Sequence, residues 1–493
     1  MNPQKTYHSK KSFFLILIVS ALIFSSISLV NHFLYRTYAL DLGLYTNSLF
    51  DYAHFTFNDS SVFKNVPQNL LADHFDLFLV IISPLSYLFG NSTLLLVQIA
   101  FLLIGGIGVY RYLQLKEVEE RIALLGMLYF YLHFSVFSAL SFDYHSNVIA
   151  ASIVPWLFYF FEKKEKSNSL FVLGLILITK ENMALWMIFV TFGFWLLNRK
   201  REGYNFILFF TALSTIYFFI VTSFLMPMMS NDNTFVQFKY SILGSDYKSA
   251  FTTLFYQPLL VFKSLFINTS SSITGDYVKW ESWLFFFFSG GIVLLFRPLW
   301  LLMLVPIFLQ KFLHNQIQMW GINDQYSIEF APILALGIFS SGNRSLSTKF
   351  RNSILSLAFL GSIICTIRLM DRTSSMIKRA NVRLYQPAHW KAEMDVRAIN
   401  AALKFIPDTA IVSSQSPILP HLAWRDKIYT FPIIKDAEFI VYEKAKAPYP
   451  ISVDDFSHIT DSLENSSNWK IVYKENNVRL LKRVLIDKSN RLF

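Results

Sequence analysis

Cysteine and charged side chains are both scarce in this sequence. Cys365 is the single cysteine among 493 residues, which excludes a disulfide framework or a thiolate metal site within one chain. Charged residues form 16% of the chain, whereas a typical soluble domain has about 25%. The motifs HExxH and GxSxG and a glycine-rich phosphate loop are also absent, so no short motif identifies a hydrolase or a nucleotide-binding site.

Apolar residues are abundant instead. They form 54% of the chain, aromatic residues form 17%, and the mean hydropathy is +0.40, values that predict an integral membrane protein. The formal net charge is +11, but the lysines and arginines fall between apolar runs and do not cluster as a nucleic-acid surface requires. The expected partner is therefore the lipid bilayer and not a nucleic acid.

Long apolar runs alternate with short basic loops through residues 1 to 370. A spanning helix needs about 20 mostly apolar residues, and short basic loops stay in the cytoplasm. If the N-terminus is cytoplasmic and 169 to 198 forms a hairpin broken at Lys180-Glu181-Asn182, every short basic loop lies inside. The predicted spans are 12 to 34, which is retained and not cleaved, 93 to 113, 122 to 141, 146 to 162, the two arms of 169 to 198, 204 to 226, 280 to 296, 299 to 313, 326 to 341 and 353 to 369.

The same topology places the polar residues on the outer face of a plasma membrane. The outer segments are the 35 to 92 loop, the FDYH turn at 142 to 145, the Lys180-Glu181 break, the 227 to 279 segment and the C-terminal tail. Within the first loop, 76 to 90 is apolar but short and contains Pro84, so we expect a re-entrant or interfacial helix there.

The composition changes to a soluble character near residue 370. Helical periodicity predicts a helix over 396 to 406, short runs in TAIVSS, KIYTFP and AEFIVYE predict strands, and WKIVYKENNVRLLKR predicts a hairpin. The predicted fold is mainly α: a polytopic domain over 1 to 370 with about ten to twelve transmembrane helices, then a small extracytoplasmic α/β domain over 371 to 493.

Ionisable side chains gather at the outer ends of the predicted spans. Each costs about 3 kcal/mol near a bilayer centre, so such groups usually face a wet cavity or a partner. Four clusters fit this description, and Glu329 is an acid within the last pair of spans. The clusters are Arg36 with Asp41, Asp73-His74 with Asp76, Asp143 with His145, and Lys180-Glu181.

Asp41 precedes a segment in which apolar and polar residues alternate at helical spacing. Leu42, Tyr45, Leu49 and Tyr52 recur on one side, which predicts an amphipathic interfacial helix that begins at Asp41. A carboxylate there can act chemically, or it can be an N-cap that accepts backbone N–H bonds. The spacing alone leaves both interpretations open.

Asp143 and His145 are separated by one residue. On a helix this spacing points two side chains roughly 200° apart, so both reach one pocket only from a turn or a helix end. The alternative is an acid that ends a helix and a histidine at the level of the lipid headgroups.

Lys180 and Glu181 interrupt an apolar region. The lysine could hold a phosphate as a point charge, and the helix N-terminus that follows would add N–H donors; alternatively the two neighbours neutralise each other. Histidine and carboxylate ligands suit a divalent metal, with Asp73 and His74 as the tentative ligands. Asp41, Asp143 and His145 are further candidates, although no local metal motif supports them.

Five short motifs occur in a familiar order. They are LDLGLY at 40 to 45, ADHFD at 72 to 76, FDYH at 142 to 145, TKEN at 179 to 182 and QYSIEFAP at 325 to 332. This order resembles a prokaryotic multi-pass membrane family known as the domain of unknown function number twenty seventy-nine. That family is allied by topology to the GT-C superfamily of membrane glycosyltransferases.

The resemblance implies a GT-C-like helical core whose first outer loop carries an acid, and a polyprenyl-phosphate-linked sugar donor. Asp41 matches that acid, and Lys180 is the candidate phosphate contact. Leu40 and Gln325 depart from the Phe and His that are usual at these positions. The complete expected site has Asp41, Asp143 and His145 as catalytic residues and Arg36, Lys180, Glu181 and Tyr326 as substrate-binding residues.

The expected function is transfer of a sugar from a lipid phosphate to an acceptor on the outer face. A transporter or lipid flippase is an alternative, because broken spans and intramembrane acids also occur there. Against it, the ionisable residues gather at the outer ends and not at the midplane, and no two halves of the chain look alike. A non-catalytic scaffold that presents the C-terminal domain is the third possibility.

Overall fold

The structure of the protein is a computed structural model. It describes residues 3–58, 60, 62–63, 68–340, 347–374, 381–445 and 451–484, with side chains from residue 10 onward. The chain forms two compact units. The first unit contains Met1–Ser28, Leu71–Phe78 and Val97–Arg383, and the second unit contains Leu29–Leu70, Leu79–Leu96 and Leu384–Phe493.

Helices dominate the described residues. In chain order they are α1 Pro3–Phe33, α2 Leu44–Ala53, α3 Leu70–Asp73, α4 Phe78–Ile82, α5 Ser86–Phe89, α6 Thr93–Leu115, α7 Glu120–Leu132, α8 Phe134–Leu140, α9 Ser146–Lys163, α10 Lys166–Leu177, α11 Glu181–Asn198, α12 Phe206–Ile220, α13 Met226–Met229, α14 Tyr247–Tyr256, α15 Pro258–Ser264, α16 Val278–Phe288, α17 Pro298–Leu302, α18 Val305–Phe312, α19 Ile317–Trp320, α20 Phe330–Phe339, α21 Thr348–Asp371, α22 Val396–Leu403 and α23 Val453–Glu464. Single π-helical turns occupy Ala39–Gly43 and Val221–Leu225, and 3₁₀ turns occupy Ser83–Leu85, Gly90–Ser92, Ser241–Leu243, Ile273–Gly275, Gly291–Phe296, Pro387–Trp390 and Leu419–His421.

Four helical stretches in the described residues are long and apolar enough to cross a membrane: Lys10–Phe33, Phe78–Leu115, Phe206–Met229 and Thr348–Asp371. The pair α7 and α8, bent by 41°, makes a fifth if it is one broken span. The other predicted spans are shorter or broken helices. For example, 299 to 313 is divided into α17 and α18, each with a proline in its first turn, because proline suits the start of a helix and disrupts its interior. The total of ten to twelve spans stays a prediction.

Two segments that were predicted to be irregular, 76 to 90 and 169 to 198, each consist of two helices separated by a short break. The 76 to 90 segment forms α4 and α5, separated by the 3₁₀ turn that contains Pro84, and its re-entrant path stays a prediction. The break in 169 to 198 is confirmed, because α10 ends at Leu177 and α11 begins at Glu181.

Helices of the first unit approach closely at a glycine pair in α6. A Cβ atom added to Gly105 would lie 2.9 Å from the carbonyl oxygen of Ser152, and one added to Gly106 would lie 2.1 Å from the ring of Tyr131. Small residues allow such contact between helices in membranes. This pair is therefore a packing site.

The second unit contains a five-stranded sheet in the order β2-β1-β3-β5-β4. Its strands are β1 Val412–Ser414, β2 Ile428–Thr430, β3 Phe439–Glu443, β4 Trp469–Glu475 and β5 Val478–Arg483. β1 is parallel to β2 and β3, whereas β5 is antiparallel to β3 and β4. The predicted strands, the hairpin and the helix that became α22 are all confirmed.

The core of this sheet includes residues from the first loop. Tyr35, Ala39 and Val62 pack with Val412, Leu419 and other apolar side chains of the sheet region. The sequence had placed these three residues in a different domain from the sheet, and the division near residue 370 stays a prediction.

A helix follows Asp41 as predicted, but the prediction that this helix is amphipathic with an interfacial polar face was wrong. The helical segment starts with the π turn Ala39–Gly43, whose N-cap is Tyr38, so Asp41 is not an N-cap. Nearly all of α2 is buried, including its polar residues. Asn47 Nδ2 donates to the carbonyl of Arg425 at 2.7 Å, and hydrogen bonds of this kind allow polar side chains to be buried.

Candidate active site

A turn between α8 and α9 carries two predicted catalytic residues. The side chain of Gln98 holds this turn, because its Nε2 donates to the carbonyl of Asp143 at 3.2 Å and its Oε1 accepts the backbone N–H of His145 at 2.9 Å. Asp143 and His145 are both buried. The prediction that they lie in a turn is confirmed.

The surroundings of His145 disfavour the charged form of its imidazole. Burial, and after it the electrostatic influence of Lys180 and His74, lowers the pKa of His145 well below its ordinary value. The ring stacks on Phe142 with centroids 5.3 Å apart. No hydrogen-bond partner reaches Nε2 within the described part of the chain.

Glu181, the first residue of α11, binds the loop segment that carries His74. Its Oε1 lies 3.2 Å from His74 Nδ1, and its Oε2 accepts the backbone N–H of Phe75 at 3.1 Å. Among the residues described, Lys180 has no carboxylate within 4.0 Å. The alternative in which Lys180 and Glu181 neutralise each other is therefore not what the structure shows.

We expect Glu181→Gln to destabilise the protein by about 1–3 kcal/mol, because the charged partner of one buried and one partly buried hydrogen bond is lost. Thermal unfolding of the detergent-solubilised protein should show a lower midpoint than the parent. The control Glu202→Gln removes an exposed carboxylate, and its thermal unfolding midpoint should equal that of the parent protein. Equal midpoints for all three proteins would contradict the role of Glu181.

The predicted metal ligands point to different partners. Asp73 Oδ1 accepts a hydrogen bond from Gln237 Nε2 at 2.6 Å, while His74 faces Glu181. Within the described ranges, no three His, Cys, Asp or Glu side chains lie close enough to hold one ion. Asp73 and His74 therefore do not form a donor set that fits a metal ion. The divalent metal expected from the sequence stays a prediction, and no chemical step below uses one.

A small polar recess lies in the first unit. Its volume is about 50 Å³, which is enough for a few waters or one small polar group. The helices α9, α11 and α20 all contribute residues from their N-terminal ends, where the helix dipole and free N–H groups favour an anion. The lining residues are Asn147, Lys180, Asn182, Ile307, Gln310, Lys311, Met319, Gln325, Tyr326 and Glu329.

The two lysines of the recess have different surroundings. Lys311 Nζ lies 3.1 Å from the carbonyl of Met319, 3.2 Å from that of Tyr326 and 3.1 Å from Ser327 Oγ, and it also contacts the carbonyl of Gly321. An ammonium has three protons, so these four acceptors saturate Lys311. Lys311 thus fixes the loop and adds charge, whereas the Lys180 ammonium can donate to a bound group.

One carboxylate balances part of this charge. Glu329 precedes α20 and is buried, and its Oε1 accepts a hydrogen bond from Asn147 Nδ2 at 2.9 Å. Two ammonium groups and one carboxylate leave a net charge of +1 when all three are ionised. The recess therefore favours an anion.

Amide side chains add hydrogen-bonding groups around the recess. Asn182 Nδ2 donates to Gln310 Oε1 at 2.9 Å. Three buried amide oxygens, Asn147 Oδ1, Asn182 Oδ1 and Gln325 Oε1, have no partner among the described residues. Buried polar atoms normally find one, so these acceptors suit a ligand with hydroxyl donors.

The sequence identified only part of the recess. Lys180, Tyr326 and Glu329 were named in advance, whereas Gln310 and Lys311 were missed. A lone lysine within a predicted span, 299 to 313, was the available indication, since a charge in a membrane segment usually has a function or a partner. For the amide residues of the recess, the sequence contains no comparable indication of a functional role.

A much larger groove in the first unit has a different character. Its volume is about 1650 Å³, and most of its lining side chains are phenylalanine, leucine and isoleucine. Its basic residues include Lys116 and Arg351, which pair with Glu162 and Glu119. The small recess is therefore the better candidate for polar chemistry.

Arg36 and Asp41 belong to the second unit. The guanidinium of Arg36 donates to the carbonyls of Ala388 and His389, both at 2.8 Å, and also to that of Lys391. These bonds give Arg36 a structural role, and its substrate-binding role stays a prediction. Asp41 is partly exposed in the π turn, and its convergence with Lys180 also stays a prediction.

Comparison with known proteins gives a family and a fold. The family model described as "Predicted membrane protein (DUF2079)" matches residues 31–480. The crystal structure of ArnT from Cupriavidus metallidurans bound to undecaprenyl phosphate superposes with a TM-score of 0.50 at 11% identity, over 96% of this chain and 98% of ArnT. No curated protein matches the chain. The predicted fold class, a GT-C-like helical membrane protein with a small C-terminal sheet, is confirmed.

Proposed function

The chain belongs to the DUF2079 family of membrane proteins, and on this basis we propose that it transfers a sugar from a polyprenyl-phosphate-linked donor to an acceptor hydroxyl on the outer face of the membrane. The recess is the observation that carries this proposal. It joins two lysines to three helix N-termini in a protein with the fold of ArnT.

The reaction requires two kinds of assistance. The bond between the sugar C1 and the phosphate oxygen breaks, and the polyprenyl phosphate leaves with the electron pair. The acceptor oxygen bonds to C1, and its proton passes to a base, the role we assign to Asp41. Lys180 and the helix N-termini stabilise the charge that develops on the phosphate.

The partnerless amide oxygens support a sugar as the second half of the donor. Asn147 Oδ1, Asn182 Oδ1 and Gln325 Oε1 can accept hydrogen bonds from sugar hydroxyls next to the phosphate. Sites with buried hydrogen-bonding groups discriminate strongly against analogues that lack the matching group. These three residues are thus our candidates for sugar selection.

A lipid-linked donor is supported by the membrane character of the chain and by the similar protein. ArnT was crystallised with undecaprenyl phosphate. From the basic loops of the sequence we infer a cytoplasmic N-terminus, and with that orientation the N-terminal ends of α9, α11 and α20 lie on the outer side. The C-terminal domain is then extracytoplasmic.

We expect Asn182→Asp to reduce transfer at least about tenfold, since a new carboxylate in the recess repels the donor phosphate by at least about 1.4 kcal/mol. An acid in the first turn of α11 favours the helix, and the Gln310 amide can rotate to donate to it, so the variant should fold. Membranes that contain the protein are incubated with radiolabelled polyprenyl-phosphate sugars, and label in the acceptor fraction is counted.

Asn231→Asp makes the same change at an exposed position and should keep parental activity. Label that crosses the bilayer while still attached to its lipid would indicate a flippase instead. Label that neither moves nor transfers would favour a scaffold. Equal transfer by Asn182→Asp and the parent would contradict the phosphate site.

A further inference from the structure

The sheet of the second unit has a topological switch point, a position at which other sheets bind ligands. β1 lies between β2 and β3, and all three strands are parallel. The strand order therefore changes direction at β1. In open α/β sheets, ligands bind outside the carboxyl ends of the strands at such a switch point. Residues 415 to 421 form this position here.

In this protein the chain's own first loop occupies the position. The backbone N–H of Ala39 donates to Ser416 Oγ at 3.3 Å. The ring of His421 packs against Tyr35 of the loop and also stacks on His32 at the end of α1, with centroids 4.1 Å apart in both pairs. The loop thus takes the place that a small ligand takes in doubly wound folds.

Further hydrogen bonds attach the loop on both sides of Asp41. Before it, Tyr35 OH donates to Asn400 Oδ1 at 2.6 Å, and Arg36 donates to three backbone carbonyls between residues 388 and 391. After it, Asn47 donates to the carbonyl of Arg425. These contacts join segments more than 350 residues apart in sequence.

Gly43 is the point of closest approach. Its backbone is ordinary right-handed helix, with φ −64° and ψ −48°, so its conformation does not require glycine. The reason is space: a Cβ atom at Gly43 would lie 2.4 Å from Leu419 Cδ2. A larger residue must therefore move the loop or the leucine.

We infer that the C-terminal sheet is a template that positions Asp41, and that Gly43 and Leu419 are positioning residues at its contact with the Asp41 turn. This inference rests on the proposed base role of Asp41. A general base acts only within hydrogen-bond reach of its proton, and a misplacement of about 1 Å costs about a hundredfold in rate. The sheet supplies that accuracy.

The test combines two substitutions that compensate each other. Gly43→Ala should reduce kcat at least about tenfold with little change in the KM for the lipid-linked donor, because the loop shifts and the phosphate site does not. Leu419→Ala creates space and should have a smaller effect. The double variant should recover most of the kcat lost in Gly43→Ala, since the added methyl then fits.

Hydrogen–deuterium exchange of residues 39 to 45 measures the position of the loop without any assay of transfer. Exchange should rise in Gly43→Ala and return towards the parental rate in the double variant. If exchange follows this pattern but no variant transfers sugar, the template is supported and the base role fails. If Gly43→Ala kept the parental exchange rate and the parental kcat, the inference would be overturned. A double variant whose exchange rate and kcat equal those of Gly43→Ala would also overturn it.

Discussion

Asp41→Asn should lower the rate of sugar transfer at least about a hundredfold, within the range of about 10² to 10⁴ that general acid–base catalysis contributes. The amide keeps the shape of the side chain but cannot take the proton of the acceptor hydroxyl. The loss should appear in kcat, because the acceptor proton moves only during the chemical step.

The measurement is transfer from a radiolabelled polyprenyl-phosphate sugar by purified, reconstituted protein. Asp232→Asn is the control, since it removes a carboxylate from an exposed loop residue in the first unit. It should transfer sugar at the parental rate. Undiminished transfer by Asp41→Asn would remove Asp41 from the chemistry and leave the phosphate site to be judged separately.

Lys180→Gln should reduce the rate of sugar transfer about 10²- to 10³-fold. This is the usual effect of losing one group that stabilises charge in a transition state. Lys180 precedes α11 and its side chain makes no capping hydrogen bond, so the fold does not depend on it through a cap. Lys180→Arg keeps the charge and should retain more activity than Lys180→Gln.

Lys263→Gln removes an exposed lysine near the end of α15 and is the control. Binding of undecaprenyl phosphate should weaken in Lys180→Gln and stay parental in Lys263→Gln. High salt should reduce the effect of Lys180 less than the effect of a fully exposed charge, because Lys180 is partly buried and therefore less screened. Parental binding and transfer by Lys180→Gln would show that the donor phosphate lies elsewhere.

Local patterns in the sequence were sufficient for elements whose determinants are local. The turn at Asn476 and the alternating strands beside it form the β4–β5 hairpin, because a two-residue period and a turn signal specify a hairpin. The break before Glu181 is likewise visible as polar residues within an apolar run. The order of the motifs supplied the family and the fold.

The composition of the recess could not be predicted in this way. Lys311 lies in α18, whereas Lys180 and Glu329 directly precede α11 and α20. No spacing rule joins residues so far apart in sequence. In the sequence, Lys311 cannot be distinguished from a lysine that ends a membrane span at the lipid headgroups. Its four hydrogen-bond acceptors are visible only in the structure. Site residues built from separate helices need the packing of those helices before they can be recognised.

The first loop was misinterpreted for a physical reason. Asn47 and Asp51 look like the wet face of an amphipathic helix, but both are buried. Asn47 bonds to Arg425, and Asp51 accepts a hydrogen bond from Asn58 at 2.7 Å. Periodicity separates polar from apolar faces, but it does not show whether the polar face meets water or a buried partner.

The most direct measurement is an experimental structure of the protein with undecaprenyl phosphate in a lipid nanodisc. We expect density for the phosphate in the recess, with one oxygen about 2.7–2.9 Å from Lys180 Nζ, as in a charge-assisted hydrogen bond. Phosphate density elsewhere in the protein, with only water beside Lys180, would contradict this expectation.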